Sequence, residues 1–333
     1  MVQDKKRTAS FLTTEFYLSI FLLAVLIFLG IFAKGFYTIN NIMSILNTYS
    51  YTLIAAIGMN MIIITSNIDV STGALVSVVC LASAALGKLG LPFAVLLPAA
   101  MVMGVILSTI NGLFITKTKI PAIVATLATT QLFQGVLPLT TEGSIYDLPA
   151  SFTWLAFEAK IFGVVPASVL MCAIITVIAL FFMKYSRFSK KLYAIGNNQN
   201  SARLAGINVE RTIVITYAIA GALFGVTAII IATAGQRVTT TMGSGLEMTL
   251  IASVILGGTS TAGGSGKVLG TVIGALILSI VSPAINYLGI SPNWSDAIKG
   301  AIIIISVVVG AAQQMKKKKR VIEVPKEVLH NGK

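Results

Sequence analysis

A glycine-rich stretch with a lysine near its end, residues 257–270 (GGTSTAGGSGKVLG), raises the question of whether this loop binds a phosphate. A phosphate-binding loop requires G-x-x-x-x-G-K-[ST], but Thr261 stands at the first glycine and Val268 follows Lys267. The dinucleotide pattern G-x-G-x-x-G also fails, because Leu269 occupies its last glycine. The sequence therefore predicts no nucleotide site here, and the glycines need another explanation.

Catalytic and metal-binding residue types are scarce elsewhere in the chain. The only histidine, His330, lies in a polar tail, and the two cysteines, Cys80 and Cys172, lie in apolar runs. Nucleophile triads and zinc sites need clusters of these residue types. We therefore expect no enzyme activity, no metal and no cofactor.

The composition predicts an all-α polytopic membrane protein. Of 333 residues, 56% are hydrophobic and 11% are charged, with a mean hydropathy of +0.91, whereas soluble domains carry about 25% charged residues. A membrane-spanning helix needs about 20 apolar residues. We predict about ten transmembrane helices, some short or broken, over 17–33, 42–65, 70–87, 92–116, 121–139, 162–183, 212–233, 246–256, 268–286 and 297–313.

The distribution of basic residues indicates the orientation. The net charge of +13 would suggest nucleic acid in a soluble protein, but with the N-terminus inside, 19 of the 24 basic residues fall on the inner side. That bias is typical of multi-pass membrane proteins. We expect cytoplasmic termini and no nucleic-acid partner. We also expect three regions: an N-terminal segment 1–15, a membrane domain 16–314 and a basic tail 315–333 that contacts anionic lipid.

Several polar residues interrupt the apolar runs, and these are candidates for a translocation path. Acidic groups at membrane depth are costly and mark pathways or paired sites. For Asp69 and Glu247 we favour helix capping over ligand contact, and Asp296 has Lys299 three residues on as a partner. Interhelical hydrogen bonding is the simpler role for the neutral ones. The candidates are Asn67, Asp69, Ser71, Asn111, Gln131, Glu247, Asn286 and Asp296.

Two polar connections carry further predictions. Segment 186–211 contains a helix-capable stretch at 201–205 with Gly196 and Gly206 near its ends; it is either a solvated connector or a short helix that inserts into another protein. The outer segment 140–160 carries Glu142, Asp147 and Glu158 among aromatics, which indicates a membrane-interface anchor or a docking surface.

The spacing of the later glycines predicts helix packing. Gly266, Gly270 and Gly274 recur every four residues, which would place them on one helix face where another backbone can approach closely.

Four segments together resemble the permease subunits of ribose-type sugar ABC importers. They are GMNMIIITSNIDVSTGALVS, NGLFITKTKIPAIVATLATTQLFQGV, LYAIGNNQNSARLAGINVER and GSGLEMTLIASVILGGTSTAGGSGKVLGTVIGALI. The resemblance runs from about residue 40 to 313. It implies a bacterial plasma-membrane permease of about ten helices, paired with an identical or related permease, with cytoplasmic ATPase subunits and an extracytoplasmic sugar-binding protein.

The resemblance also assigns roles to residues. The family's ATPase-coupling segment matches Gly196, Asn197, Ala202, Arg203, Leu204, Gly206, Ile207 and Asn208. The family's GGIDLSVG is SNIDVSTG here, so Ser66 and Asn67 depart from the usual glycines. This departure, together with KIPAIVATL, GLEM and NWSD, is similar to autoinducer-2 import permeases.

Two alternatives stay open. A branched-chain amino-acid permease has a related architecture, although the GNN…SARLAGI form favours sugar. A stand-alone secondary transporter or channel would need buried ion-coupling residues and no cytoplasmic docking segment.

Overall fold

The computed structural model describes residues 14–140, 144–145, 148–157, 159–161, 163, 165–235, 237–302, 304–305 and 308. The basic tail and the acidic residues Glu142, Asp147 and Glu158 lie outside the described residues. The helices are α1 Thr14–Phe32, α2 Ile39–Ile64, α3 Thr72–Lys88, α4 Phe93–Thr118, α5 Ala122–Thr140, α6 Ala150–Phe157, α7 Ala167–Tyr185, α8 Arg187–Asn197, α9 Gln199–Leu204, α10 Val209–Thr233, α11 Leu246–Leu256 and α12 Val268–Tyr287.

The all-α membrane architecture is confirmed. Within the described residues, seven helices (α1, α2, α4, α5, α7, α10 and α12) are long and apolar enough to cross a membrane, while α3 and α11 are shorter apolar helices. Residues 294–302 are also helical and begin the last predicted run. Each predicted run therefore overlaps a helix among the described residues, but the number of full crossings stays a prediction because α3 and α11 fall short of a span.

Short strands join loops at one end of the bundle. β1 Ser144–Ile145 pairs antiparallel with β4 Val238–Thr239, and β2 Lys160–Ile161 pairs antiparallel with β3 Val165–Pro166. These strands follow the ends of α5 and α10, so they lie at the end opposite α8 and α9. The end of the bundle with the strands is called the far end, and the opposite one is called the α8–α9 end.

The centre of the bundle is formed by α2 and α10, which are buried on most sides. From Leu53 to Ile64 every residue of α2 is buried, so the helix is apolar all round, as expected for a helix surrounded by others.

Helix α4 lies very close to α10 because glycines meet at their contact. A Cβ on Gly104 would overlap the Gly221 carbonyl, and one on Gly225 would overlap the Ala100 carbonyl. Small residues permit such backbone contact in membrane bundles.

A similar contact joins α11 to α12. A Cβ on Gly270 would overlap the Gly257 carbonyl, and one on Gly274 would overlap the Ser253 carbonyl. Gly266 does not share this face, because α12 begins only at Val268; it lies in the preceding loop against the Thr259 side chain. The four-residue spacing placed Gly266 on the helix, but the chain is extended at Lys267 and α12 begins two residues after Gly266.

We expect Gly274→Ala to destabilise the protein although it adds a single methyl group. The new Cβ would meet the fixed Ser253 carbonyl, and overpacking of this kind costs about 1–3 kcal/mol. The measurement is the melting temperature of the purified protein in detergent.

Gly135→Ala is the matched control, because Gly135 lies within α5 and its added Cβ would meet nothing within 4 Å. This variant should melt at or above the wild-type temperature, since Ala favours helix over Gly by about 1 kcal/mol. Equal melting temperatures for both variants would contradict the packing argument.

Candidate functional site

Three chain segments meet at the α8–α9 end: the turn after α2, the end of α8 and the glycine loop 257–267. The Gly264 amide donates to the Ile64 carbonyl at 2.9 Å. The Ser66 hydroxyl donates to the Ala262 carbonyl at 2.8 Å and lies 3.2 Å from the Gly196 carbonyl. The glycine loop is therefore bonded to the turn after α2, and the Ser66 hydroxyl of that turn also contacts the end of α8.

Glycine is required at this junction for two reasons. A Cβ on Gly196 would overlap the Ile64 carbonyl and the Gly264 amide. Gly263 and Gly264 have φ of 82° and 72°, a left-handed conformation that L side chains rarely adopt. This backbone geometry, rather than phosphate binding, explains why glycines occupy these positions of the loop.

The predicted coupling segment consists of two helices joined by a cap. Asn198 ends α8 and caps α9, its Oδ1 accepting the Ser201 amide at 2.9 Å. Gly206, with φ of 79°, turns the chain after α9, and the Asn208 Oδ1 then caps α10 by accepting the Arg211 amide at 2.9 Å. The expected helix at 201–205 is observed as Gln199–Leu204, preceded by a longer helix, α8, over Arg187–Asn197.

The predicted coupling residues divide into inward and outward sets. Gly196 and Ala202 are buried and Ile207 is half-buried, whereas Asn197 is exposed with its Oδ1 near Gly264. Leu204 is 92% exposed, and Arg203, Gly206 and Asn208 are also exposed.

An exposed ion pair ties α9 to α10. Arg203 Nη2 lies 2.7 Å from Glu210 Oε1, and both side chains are about half exposed (47% and 51%). Because the pair is exposed, it contributes little to overall stability, and its effect is local, on the orientation of α9.

A buried polar cluster holds the start of α3. Asp69 Oδ1 accepts the Ser71 amide at 2.9 Å and the Ser71 hydroxyl at 2.6 Å, and Asn111 Nδ2 of α4 donates to that hydroxyl at 2.7 Å. The Val70 amide donates to Thr126 Oγ1 of α5 at 3.1 Å. Asp69, Ser71 and Asn111 are at most 1% exposed, so in this conformation they join three helices and do not line an open passage.

Asn67 and Glu247 occupy different environments. Asn67 Nδ2 donates to Thr65 Oγ1 at 2.9 Å, and Asn67 borders a cavity of about 790 Å³ together with Lys119, Arg203 and Glu210. Glu247 lies in the first turn of α11 and is close to α3, where a Cβ on Gly73 would overlap its carboxylate. A carboxylate in a first turn meets free amides and the positive end of the helix dipole.

A second cavity, of about 710 Å³, opens toward the far end between α2, α11, α12 and residues 296–300. Asn286 and Asp296 are in its wall. Lys299 Nζ lies 3.5 Å from Asp296 Oδ1, and the hydroxyls of Ser282 and Ser295 are 2.8 Å apart. The other polar groups in the wall are the side chains of Thr48, Tyr51, Thr52, Ser244, Thr249 and Ser279.

The hydroxyl groups of this wall were missed by sequence reasoning. Ser279 and Ser282 are three residues apart on α12, and Asn286 follows four residues later, so they share one face of the helix. That spacing was a readable signal, but single serines in an apolar run are common because they can bond to their own backbone; Ser279 donates to the Ala275 carbonyl at 2.7 Å.

Gln131 lies apart from both cavities. It is exposed on the surface of α5, and so is Gln134 one turn further on. The exposed face of α7, by contrast, is apolar over its length, with Leu170, Ile174, Ile178 and Phe181. The described residues hold no group of three His, Cys, Asp or Glu side chains arranged for a metal.

Comparison with known proteins identifies the family. The profile of a family described as "Branched-chain amino acid transport system / permease component" matches residues 41–307. The ribose import permease protein RbsC of Escherichia coli K12 is 33% identical over 293 residues, covering 86% of this chain and 91% of the relative. No solved structure matches the chain.

Two further relatives show the breadth of the similarity. The ribose import permease protein RbsC of Haemophilus influenzae is 29% identical over 309 residues, covering 91% of this chain and 96% of the relative. The autoinducer 2 import system permease protein LsrC of Salmonella typhi is 28% identical over 284 residues, covering 85% and 81%. The chain therefore belongs to this permease family and is a ribose-type permease subunit of an ABC importer.

Proposed function

We propose that this permease carries a small polyhydroxylated molecule, a ribose-like monosaccharide or autoinducer-2, through the cavity lined by Asn286 and Asp296. The observation behind the proposal is the wall itself. Seven of its side chains carry hydroxyl groups (Thr48, Tyr51, Thr52, Ser244, Thr249, Ser279 and Ser282), beside an amide and an Asp–Lys pair. Hydroxyl and amide groups both donate and accept hydrogen bonds, which suits a neutral sugar.

The family description favours a second candidate, a branched-chain amino acid. Such a substrate needs an apolar pocket for its side chain beside groups for its ammonium and carboxylate. The cavity has an oppositely charged pair and apolar side chains such as Ile231 and Leu278. We rank this candidate second because the relatives named above are ribose and autoinducer-2 permeases. A stand-alone carrier or channel is the third alternative.

The energy source in this proposal is a cytoplasmic ABC ATPase that binds the α8–α9 end. The support is the fully exposed Leu204 beside Arg203, on a helix pair whose inward residues are bonded to the bundle. Buried apolar anchors next to arginine dominate many protein contacts. The orientation follows: both termini are cytoplasmic, the chain lies in the bacterial plasma membrane, and an extracytoplasmic binding protein delivers the substrate at the far end.

A second permease, identical or related, covers α5 in this proposal. Gln131 and Gln134 would face lipid if the chain acted alone, whereas α7 already offers lipid an apolar face. Polar side chains in membrane helices face protein or water rather than hydrocarbon. The glutamine face of α5 then packs against the second permease, away from the cavity. Residues 16–314 form the membrane domain in this arrangement, between terminal segments 1–15 and 315–333.

Replacing Leu204 by Asp should abolish ATPase binding while the permease stays folded. Loss of an interface anchor costs roughly 2 kcal/mol or more, a weakening of about thirtyfold. The measurement is the amount of ATPase that co-purifies with a tagged permease expressed in its native host.

Leu89→Asp is the control for that experiment, since Leu89 is 75% exposed but lies at the far end. It should keep the ATPase. Equal loss from both variants, or a permease that never retains an ATPase in any detergent, would overturn the importer proposal.

Variants of the Arg203–Glu210 pair can show whether Arg203 touches the ATPase directly or only holds α9 in position. Arg203→Glu should weaken ATPase co-purification, because two carboxylates repel where an ion pair held α9. The double exchange Arg203→Glu with Glu210→Arg rebuilds the pair with reversed polarity. Recovery of ATPase binding would show that the pair positions α9, whereas persistent loss would show that Arg203 itself touches the ATPase.

Ser282→Leu should reduce uptake without affecting ATPase binding. The change removes a hydroxyl from the cavity wall and adds apolar volume, and an unsatisfied buried partner costs about 1–3 kcal/mol, hence roughly tenfold or more in rate. Uptake of labelled ribose is measured in proteoliposomes that contain the complete transporter.

Ser19→Leu on the outer surface of α1 is the control and should transport normally. Competition with unlabelled autoinducer-2 or leucine then distinguishes the substrates. Competition by leucine alone would replace the sugar proposal with the amino-acid candidate.

A further inference from the structure

A groove of about 460 Å³ lies at the α8–α9 end, between the end of α7 and the beginning of α12. Its walls are apolar, formed by Leu180, Phe181, Met183, Val268 and Leu269. Its rim carries Lys184 and Lys267. Because α7 and α12 are both apolar spans, the points where they end and begin mark the boundary of the membrane.

The groove continues an apolar surface that faces lipid. Phe181 is 62% exposed and Leu269 is 54% exposed. The exposed row on α7 extends from Leu170 through Ile174 and Ile178 to Phe181, so it reaches across the membrane. An acyl chain lying along this row would end with its headgroup at the two lysines.

The lysines are held where a headgroup would sit. Lys184 Nζ lies 5.0 Å from the centre of the Tyr185 ring, a cation–π contact that keeps the ammonium at the rim. Tyr193 closes the floor, its hydroxyl donating to the Gly266 carbonyl at 2.9 Å. Lys267 precedes α12, and no side chain caps that helix start, so its first amides add positive potential.

One acidic group lies beside the groove. Lys267 Nζ bonds Glu15 Oε1 of α1 at 2.8 Å, with the lysine side chain 66% exposed and the glutamate 20% exposed. The carboxylate offsets part of the Lys267 charge, so Lys184 carries most of the uncompensated charge. Arg187, Lys190 and Lys191 are exposed on the adjoining α8, which leaves this end positive overall.

We propose that the groove is a binding site for one anionic phospholipid, whose acyl chains lie along Phe181 and Leu269 and whose phosphate contacts Lys184 and Lys267. Apolar walls on a lipid-facing surface that end at two cations match the two parts of such a lipid. A soluble phosphate would use the cations and leave the apolar walls in contact with hydrocarbon. The site is independent of the substrate, and a lipid there would link α7, α8 and α12.

The test measures phosphatidylglycerol retained by the full-length permease. The protein is reconstituted in nanodiscs of phosphatidylcholine with 20% phosphatidylglycerol, and bound lipids are counted by native mass spectrometry after release. A lysine near a membrane surface contributes about fivefold in binding. We expect Lys184→Gln to lower retained phosphatidylglycerol about fivefold, and Lys184→Gln with Lys267→Gln to lower it further.

Two control variants test whether lipid retention depends on the charge of the groove itself. Lys190→Gln with Lys191→Gln removes two charges from α8 outside the groove and should leave retention unchanged. Glu15→Gln releases Lys267 from its ion pair and should raise retention. All these changes are at exposed or rim positions, and unaltered melting temperatures show that the variants fold.

Four results would overturn the proposal. They are equal retention of phosphatidylcholine and phosphatidylglycerol, equal loss from the α8 and groove variants, lower retention in Glu15→Gln, and displacement of the lipid by millimolar glycerol 3-phosphate. The second result would indicate diffuse attraction by the positive surface, and the last would indicate a site for soluble phosphate.

Discussion

The contact between the Gly264 amide and the Ile64 carbonyl, with Gly196 packed against both, is the constraint on which the α8–α9 end depends. At this point three backbones touch with no side chain between them. Hydrocarbon gives helices little reason to associate through apolar burial alone, so close packing and hydrogen bonds must hold them together. Glycines also allow backbone contact deeper in the bundle, between α4 and α10 and between α11 and α12.

This junction gives the coupling segment a physical connection to the membrane helices. A displacement of α9 acts on α8 through the Asn198 cap, and α8 is bonded through Gly196 and Ser66 to the turn that ends α2. The same turn leads into Val70, whose amide is bonded to α5, and Ser71, whose hydroxyl is bonded to α4. Atoms in backbone contacts and buried hydrogen bonds can move little relative to one another, because protein interiors are close-packed. Motion at the α8–α9 end would therefore be transmitted to several helices at once.

The polar residues that interrupt the apolar runs occupy three different environments. The cluster around Asp69 is sealed and joins helices, the wall around Asn286 and Asp296 is open to a cavity, and Gln131 lies on the surface of α5. All three classes look alike in sequence, as single polar residues in apolar runs. Burial distinguishes them, because a polar group away from water must bond to protein while one in a cavity remains available to a solute.

The sequence by itself determined the membrane class, the approximate positions of the helices and the family. These features depend on local composition and on short contiguous motifs, which are readable wherever the chain is apolar for a membrane thickness. Only the tertiary structure decided which glycines touch, since Gly264 meets Ile64 across about two hundred residues of sequence. It also decided which polar residues share a cavity, and that Gly266 lies before α12. Such pairings arise from how separate helices pack, and no local pattern specifies them.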